Sequence, residues 1–453
     1  MDFPLREYTG LALYSATVVV VLLTIFWRPI VGLYSLLPLI PLQTMRYRLN
    51  AYPFGQSVVG IMIVAIILGI VLKGKSPLPK TPWTRLLCIF GAFTYLSLWW
   101  GTLMYKHPYP LPGNPRFGVW TEYLMMPLLV LLVAAIRPSK KHIQSMLLIM
   151  CLSTYLVDRS FWNEVSGRDY SSYSEDLRNS ADGANMGYAG VNGIAAFDAQ
   201  AAIFLIALAA FEKRQLLKYS YWALAVFTIC CLAYSLSRGG YLALLGGWLF
   251  MGIVRYRFLL VLLAIFLLTW TVWLPTAVTE RVTMTYNTED QSFDPSAETR
   301  LTLWDDALAV FSTSPLMGTG FNTYAYMHRV RDYEDTHNYY LKVLVEMGIL
   351  GLLFFVVVIA RLFWVGFKLY RTAKDPLYRA IGLGLAGWLA CAFIANCFGD
   401  RWTYLQVDGY MWILAGFVAQ AWLVERNAAS ESEQSTEVAV SGIPQEGQLA
   451  TAG

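Results

Sequence analysis

Apolar segments long enough to cross a membrane recur along almost the whole chain, and they limit the possible folds more than any other feature. Each run holds roughly 20 residues, the length that a helix needs to cross a hydrocarbon core about 30 Å thick. Hydrophobic residues make up 57% of the 453 residues, and charged residues only 14%. The sequence therefore predicts an all-α polytopic membrane protein, and no separate soluble domain is visible.

Clusters of Lys and Arg between the apolar runs predict the orientation, because loops rich in these residues stay in the cytoplasm. The clusters lie at Lys73, Lys75, Lys80 and Arg85; at Arg137, Lys140 and Lys141; at Lys213, Arg214 and Lys218; at Arg255 and Arg257; and at Lys368, Arg371, Lys374 and Arg379. With these clusters inside, the crossings fall near 56–72, 84–100, 121–136, 143–157, 193–211, 219–236, 239–254, 258–275, 338–360, 380–398 and 404–424. Successive loops then alternate between the two sides of the membrane without conflict. This arrangement leaves 101–120, 158–192 and 276–336 on the outer side.

The N-terminal segment leaves the number of crossings open. Arg28 and Pro29 interrupt an apolar stretch at 11–42, which is either one kinked crossing or two shorter ones. We expect about 12 membrane-spanning helices with the N-terminus inside, and about 13 with it outside is the alternative. The predicted parts are a single polytopic transmembrane domain at 1–424, a large outer loop within it at 276–336, and a disordered cytoplasmic tail at 425–453.

The large outer loop contains the signature of a helix. Asp294 followed by Pro295 is a typical helix start, with Asp as the N-cap and Pro at the first helical position. Apolar residues then recur at helical spacing as far as Ser314 and Pro315, so we expect an amphipathic helix of about 17 residues. The apolar positions are Leu301, Trp304, Leu308 and Phe311. Such a helix can lie on the membrane surface or cover a cavity.

His337 lies where the long polar loop runs back into an apolar segment, at a boundary between water and lipid. An imidazole exchanges protons near neutral pH, so it is our candidate for a general base. The alternative is a capping or interfacial histidine, although Asp335 and Thr336 could cap the following helix equally well. Lys342 and Glu346, four residues apart on that helix, are expected to form a structural pair.

Two arginines are candidates for binding an anion. Arg238 occupies an outer turn, where cations are disfavoured, and two glycines follow it that would let a phosphate approach the backbone. The alternative for Arg238 is a snorkelling interfacial arginine. Arg300 lies on the predicted outer helix, where it could equally be a solvated charge paired with Asp306 or Glu298. Because the loop at 276–336 is acidic overall, a general basic patch does not account for these arginines.

Three further residues are weaker candidates. Asp198 lies near the outer end of an apolar run, where a carboxylate is a functional-site hypothesis by default, although a helix-packing hydrogen bond is as good an explanation. Arg159 and Arg178 belong to the polar, aromatic outer loop at 158–192, whose tyrosines could stack on sugars or simply pack.

Several short motifs together resemble the O-antigen ligase and Wzy-type polymerase superfamily. The resemblance is sharpest at 193–360 and depends on the order and spacing of the motifs around one outer loop. The motifs are Ser237 Arg238 Gly239 Gly240; Arg300 with Trp304; Gly318 Thr319 Gly320 Phe321 Asn322; His337 Asn338 Tyr339 Tyr340 Leu341; and Glu346 Met347 Gly348 Ile349 Leu350 Gly351.

The resemblance implies a membrane glycosyltransferase that uses a polyprenyl-diphosphate-linked glycan as donor, on the periplasmic side and without a metal. Arg238 and Arg300 would hold the diphosphate, and His337 would activate the acceptor hydroxyl. Two guanidiniums can chelate a diphosphate and stabilise the charge on the leaving group, and direct displacement would invert the anomeric centre.

Other features agree with a reaction that needs no metal or cofactor. The outer segment at 43–56 contains no Asp or Glu, whereas metal-dependent membrane glycosyltransferases usually carry a carboxylate in the first outer loop. The chain has no Walker loop, no dinucleotide fingerprint and no His or Cys cluster with metal-ligand spacing. All six cysteines lie in apolar runs and are read as small buried hydrophobes, so no disulfide framework is expected.

The expected partners are the lipid-linked donor, a glycan or lipid acceptor and membrane lipids, with no nucleic acid. The expected location is the bacterial inner membrane, with the active site facing the periplasm. The sequence does not separate a ligase from a polymerase, because both use the same donor chemistry. A lipid-linked oligosaccharide flippase or other polysaccharide transporter is the alternative function, although the chain shows no internal repeat of the kind found in many transporters.

Overall fold

The computed structural model describes residues 5–179, 181, 184–287, 292–330 and 333–441, and these form a bundle of helices. The helices are α1 Leu5–Phe26, α2 Ile30–Leu39, α3 Gln43–Tyr47, α4 Val58–Val71, α5 Thr84–Tyr105, α6 Pro115–Ile136, α7 Lys140–Val165, α8 Glu175–Asn179, α9 Gly190–Ala209, α10 Gln215–Tyr234, α11 Arg238–Val254, α12 Phe258–Trp273, α13 Thr276–Thr283, α14 Pro295–Thr313, α15 Tyr339–Thr372, α16 Pro376–Ala395 and α17 Leu405–Ser441. Two short strands, β1 Tyr286–Asn287 and β2 Ser292–Phe293, pair antiparallel with Tyr286 opposite Phe293.

The described helices confirm the all-α polytopic membrane fold. Eight of them are long and apolar enough to cross a membrane, and a ninth crossing results if α12 and α13, bent by 112°, are one broken span. Three shorter apolar helices occur at Ile30–Leu39, Gly55–Val71 and Arg238–Val254. Whether these short helices and α7 also cross decides the total, so the number of about 12 stays a prediction.

Loops that the charge pattern assigns to the same side of the membrane contact one another. Nζ of Lys140 pairs with the carboxylate of Asp375, which joins two loops that were predicted to be cytoplasmic. The backbone N–H of Tyr173 donates to Oε2 of Glu280 at 2.7 Å, which joins two loops that were predicted to be outer. These contacts agree with the predicted alternation, while the side that faces the cytoplasm stays a prediction.

Helix α9 is the centre of the bundle, because it packs against α10, α11 and α16 and nearly all of its residues are buried. Its first turn supports the loop between α10 and α11. The hydroxyl of Ser237 donates to Oδ1 of Asn192 at 2.8 Å, directly before Arg238 opens α11. A deeply buried helix of the bundle therefore supports the turn that carries Arg238.

The outer helix α14 begins where the sequence predicts. Oδ1 of Asp294 accepts from the backbone N–H of Ala297 at 2.8 Å, and Pro295 is the first helical residue. The helix ends at Thr313, and Ser314 is its C-cap residue.

The packing face of α14 differs from the predicted apolar stripe. Leu303, Ala307 and Val310 are buried, because this side of the helix packs against α15. Leu301 and Leu308 of the predicted stripe are instead 42% and 47% exposed. Apolar side chains thus lie on both sides of α14, and those on its outward side are exposed.

The disordered cytoplasmic tail at 425–453 stays a prediction. Helix α17 continues without a break through 425–441, and 442–453 lie outside the described residues. Ala, Glu and Gln in this segment have high helix propensity, and extending an existing helix is far easier than starting one.

Candidate active site

Arg238, the first residue of α11, points into the large outer loop and contacts three polar side chains there. Its Nη2 lies 2.7 Å from Oδ2 of Asp294 and donates to Oγ of Ser296 at 2.8 Å. Its Nη1 donates to Oγ1 of Thr285 at 2.8 Å. These contacts do not fit a snorkelling arginine, because the side chain is held by protein groups.

Arg300 approaches the same serine from one turn further along α14. Its Nη1 lies 3.4 Å from both Oγ and the carbonyl oxygen of Ser296. The hydroxyl of Ser296 is therefore shared by guanidiniums from two separate parts of the chain. Burial, and then the nearby charges of Arg238 and Arg178, lower the pKa of Arg300 to about 10, so it is still charged at neutral pH.

A third arginine, Arg281 on α13, completes the cluster. Its side chain is 4% exposed, its Nη1 lies 3.0 Å from Oδ2 of Asp294, and its guanidinium covers the ring of Tyr173 at 4.8 Å. Glu175 lies 3.5 Å from Arg281 and, through its other oxygen, 3.5 Å from Arg178. Arg178, which was one of the weaker candidates, thus belongs to the same cluster.

The arginine cluster, defined as Arg178, Arg238, Arg281 and Arg300, has unused hydrogen-bond donors. The Nε atoms of three of its members are buried and make no hydrogen bond within the described part of the chain, those of Arg178, Arg281 and Arg300. Buried donors without a partner are costly, and donors that carry a positive charge are more so. Three of the four guanidiniums share the carboxylates of Asp294 and Glu175, and that of Arg300 contacts Ser296. The cluster therefore has the charge and the free donors to bind an anion.

His337 is held by Asp335 through both its ring and its backbone. Nδ1 of His337 lies 2.7 Å from Oδ1 of Asp335, and the backbone N–H donates to the same oxygen at 2.6 Å. Burial alone would favour the neutral acid, but the hydrogen bonds from His337 and the charge of Lys342 hold the pKa of Asp335 below its ordinary range. An ionised carboxylate only accepts, so Nδ1 carries the proton and Nε2 is left free to accept one.

The backbone of His337 has a φ of 49°, in the left-handed region that few residues other than glycine, asparagine and aspartate favour. Strained residues of this kind tend to occur at functional sites. The turn is fixed on both sides, because the following Asn338 accepts from the backbone N–H of Tyr340 at 3.0 Å and of Leu341 at 3.2 Å.

The arginine cluster and His337 are connected through α14. Trp304, one turn after Arg300, donates from Nε1 to the carbonyl oxygen of Thr336 at 3.1 Å. Thr336 directly precedes His337. One helix therefore carries Arg300 and also contacts the turn that holds the imidazole.

Asp198 and Arg159 are not part of this arrangement as it is described. Asp198 is fully buried beside Asp158, about 9 Å along α9 from Asn192, the residue that supports the Arg238 turn. Arg159 is exposed on α7, and its Nη1 lies 3.5 Å from the hydroxyl of Tyr155.

One expectation for the segment after His337 was wrong. Lys342 does not pair with Glu346, because its Nζ lies 2.6 Å from Oδ2 of the buried Asp400. The carboxylate of Glu346 instead accepts from the backbone N–H of Asn322 at 2.9 Å and of Tyr324 at 3.3 Å. The cap of α15 is Asn338, and neither Asp335 nor Thr336 takes this role.

The sequence reasoning did not single out Arg281, Ser296 or the pairing of Asp335 with His337. Arg281 was counted only among the charges of an acidic loop, and nothing in its local sequence marks it as buried. A local pattern in the sequence does indicate the role of Asp335, because an Asp side chain commonly accepts a hydrogen bond from the backbone N–H two residues later. Among the residues that the structure describes, no group of three or more His, Cys, Asp or Glu is arranged to hold a metal.

Comparison with known proteins agrees with the resemblance seen in the sequence. Residues 223–356 match the family model described as O-antigen ligase, and this segment includes Arg238, the arginines of the outer loop and His337. No curated protein matches the chain. Multiple apolar helices and this match identify a multi-pass membrane protein of a glycosyl-transfer class. The segment at 223–356 is therefore similar to the O-antigen ligase family, which supports the resemblance to the O-antigen ligase and Wzy-type polymerase superfamily.

Proposed function

We propose that the protein transfers a glycan from a polyprenyl diphosphate carrier to an acceptor hydroxyl at the periplasmic face of the bacterial inner membrane, as an O-antigen ligase or a polysaccharide polymerase. The observation that carries the proposal is the meeting of Arg238 and Arg300 at Ser296, with Trp304 linking the same helix to the His337 turn.

The arginine cluster supports the binding of the donor's diphosphate. Guanidiniums form short, charge-assisted and often bidentate bonds with phosphate oxygens. Arg238 and Arg300 share one hydroxyl, so their guanidiniums are close enough to contact neighbouring phosphates of one diphosphate. The positive charge then lies where the leaving group gains negative charge, which lowers the barrier to breaking the glycosidic bond.

His337 supports activation of the acceptor. With Nδ1 bound to Asp335, Nε2 can remove the proton of an acceptor hydroxyl. The hydroxyl oxygen forms a bond to the anomeric carbon of the donor, and the bond from that carbon to the phosphate oxygen breaks. The electron pair leaves with the polyprenyl diphosphate, the proton stays on His337, and direct displacement inverts the anomeric centre.

Reconstitution of the purified protein tests this proposal. A lipid-diphosphate-linked glycan is supplied with and without candidate acceptors, and the products are separated on a gel. A ladder on the carrier indicates polymerisation, and a single shift of the acceptor indicates ligation. His337→Ala and Arg238→Ala should each abolish product; if both variants insert normally and retain full transfer activity, the proposed enzyme function is wrong.

A matched control uses the other histidine of the same loop. His328 is exposed and also has a positive φ, of 44°. His328→Ala should therefore transfer glycan like the unmodified protein. A comparable loss in both histidine variants would point to a general disturbance of the loop and against the role of His337.

A further inference from the structure

Asp294 occupies the centre of the arginine cluster. Its Oδ2 lies 2.7 Å from Nη2 of Arg238 and 3.0 Å from Nη1 of Arg281. Its Oδ1 accepts from Nη2 of Arg238 at 3.1 Å and from the backbone N–H of Ala297 at 2.8 Å. The side chain is 9% exposed, so both oxygens are surrounded by donors.

The two oxygens of a carboxylate in this position resemble two oxygens of a phosphate group in charge and in geometry. Arginine accepts carboxylate and phosphate in the same bidentate manner. A phosphate oxygen cannot take the Nη2 of Arg238 while Asp294 fully occupies it, and two anions side by side in a buried site repel each other strongly. An incoming diphosphate must therefore compete with Asp294.

We propose that Asp294 is an internal anion that holds Arg238 and Arg281 while no donor is bound, and that the diphosphate of the donor displaces it and takes Arg281 as a third binding residue. This inference rests on the proposed function for the identity of the donor. The Nε atoms of the buried Arg281 and of Arg300 have no partner within the described ranges, and they are the donors that a second phosphate group would satisfy.

The exchange couples donor binding to the outer helix. Asp294 is also the N-cap of α14, so its displacement from the arginines frees the end of that helix to shift. The same helix contacts the carbonyl of Thr336 through Trp304, next to His337. A donor that displaces Asp294 thus acts on the position of the imidazole through one rigid element.

The binding of inorganic pyrophosphate to the purified full-length protein tests this inference, measured by calorimetry in detergent. Asp294→Asn keeps a good N-cap and removes the charge. We expect it to bind pyrophosphate on the order of tenfold more tightly, because the competing anion is gone. Arg281→Gln should bind on the order of tenfold more weakly.

Exposed positions of the same loop provide controls. Asp305 on α14 and Arg329, whose side chain is 49% exposed, are outside the cluster. Asp305→Asn and Arg329→Gln should leave pyrophosphate binding unchanged. Asp294→Ser is a second neutral cap, which separates the loss of charge from a folding defect of the Asn variant.

Unchanged or weaker binding of pyrophosphate in both neutral Asp294 variants would overturn the inference. The inference would also be overturned if Arg281→Gln bound pyrophosphate as tightly as Arg329→Gln does. These outcomes are independent of glycan transfer. Full transfer activity in both His337→Ala and Arg238→Ala would refute the proposed function, and the binding data on Asp294 would stand. Conversely, transfer could depend on His337 while the Asp294 variants bind pyrophosphate like the unmodified protein. That result would refute only the displacement of Asp294 by the diphosphate.

Discussion

The indole Nε1 of Trp304 donates to the carbonyl oxygen of Thr336 at 3.1 Å, across a gap of 32 residues in the chain. Trp304 is one helical turn from Arg300, and Thr336 is bonded to His337. Within the described part of the chain, this hydrogen bond links the helix that carries Arg300, a proposed anion-binding residue, to the turn that carries His337, the proposed general base.

Trp304→Phe tests that link, because phenylalanine keeps an aromatic ring and removes the donor. A typical hydrogen bond contributes about 1 kcal/mol, so we expect kcat/KM for glycan transfer to fall about fivefold. Steady-state kinetics with a lipid-diphosphate donor measures this. Trp273→Phe is the control, since its Nε1 donates to Thr269 on an exposed part of α12. Equal kinetics in the two variants would rule out a role for the Trp304 contact.

Asp335→Asn tests whether the carboxylate positions His337. An amide in this place can donate to Nδ1, which would favour the wrong tautomer and leave Nε2 protonated. We expect transfer to fall about 10- to 100-fold. Glu334→Gln, at the exposed neighbouring position, should leave the rate unchanged. Equal rates in the Asp335→Asn and Glu334→Gln variants would mean that Asp335 does not position His337.

The sequence predicted the parts of the fold that depend on local patterns. Asp294 and Pro295 mark the start of α14, and the apolar runs mark the membrane-spanning helices, because capping and hydropathy act over a few adjacent residues. It failed on the buried face of α14. That face is decided by contact with α15, and Leu301 and Leu303 are equally apolar in the sequence.

The residues of the candidate site could be proposed one by one from the sequence, but their arrangement could not. Arg238 and His337 stood out by their place at the ends of apolar runs, and Arg238, Arg300 and His337 stood out by family resemblance. Nothing in the sequence reports that Arg281 packs on Tyr173 or that Ser296 lies between two arginines, because these contacts join separate outer loops. Long-range contacts of this kind depend on how all the helices of the bundle pack together.

The strained backbone at His337 makes a prediction about stability. Glycine adopts a positive φ without the cost of about 1 kcal/mol or more that a residue with a Cβ meets. His337→Gly should therefore lose transfer activity and melt at or above the temperature of the unmodified protein. Thermal unfolding in detergent measures this. A clear fall in melting temperature would mean that the imidazole is mainly a structural group.

Chelation tests the expected independence from metals. If the guanidiniums of Arg238 and Arg300 neutralise the diphosphate, no divalent cation is needed at the leaving group. Transfer measured after treatment with EDTA should equal transfer with added magnesium. Loss of activity on chelation that magnesium restores would show that a metal takes part, and the arginines would then need another role.

Accessibility labelling tests which end of the bundle faces the periplasm. Ser312 is exposed near the end of α14, and Lys141 is exposed at the start of α7, in the loop that pairs with Asp375. In a background where the exposed Cys88 and Cys230 are serine, Ser312→Cys should react with a membrane-impermeant maleimide added to spheroplasts. Lys141→Cys should react only after the membrane is permeabilised. The reverse pattern would put the arginine cluster and His337 in the cytosol, on the wrong side for a donor that is used in the periplasm.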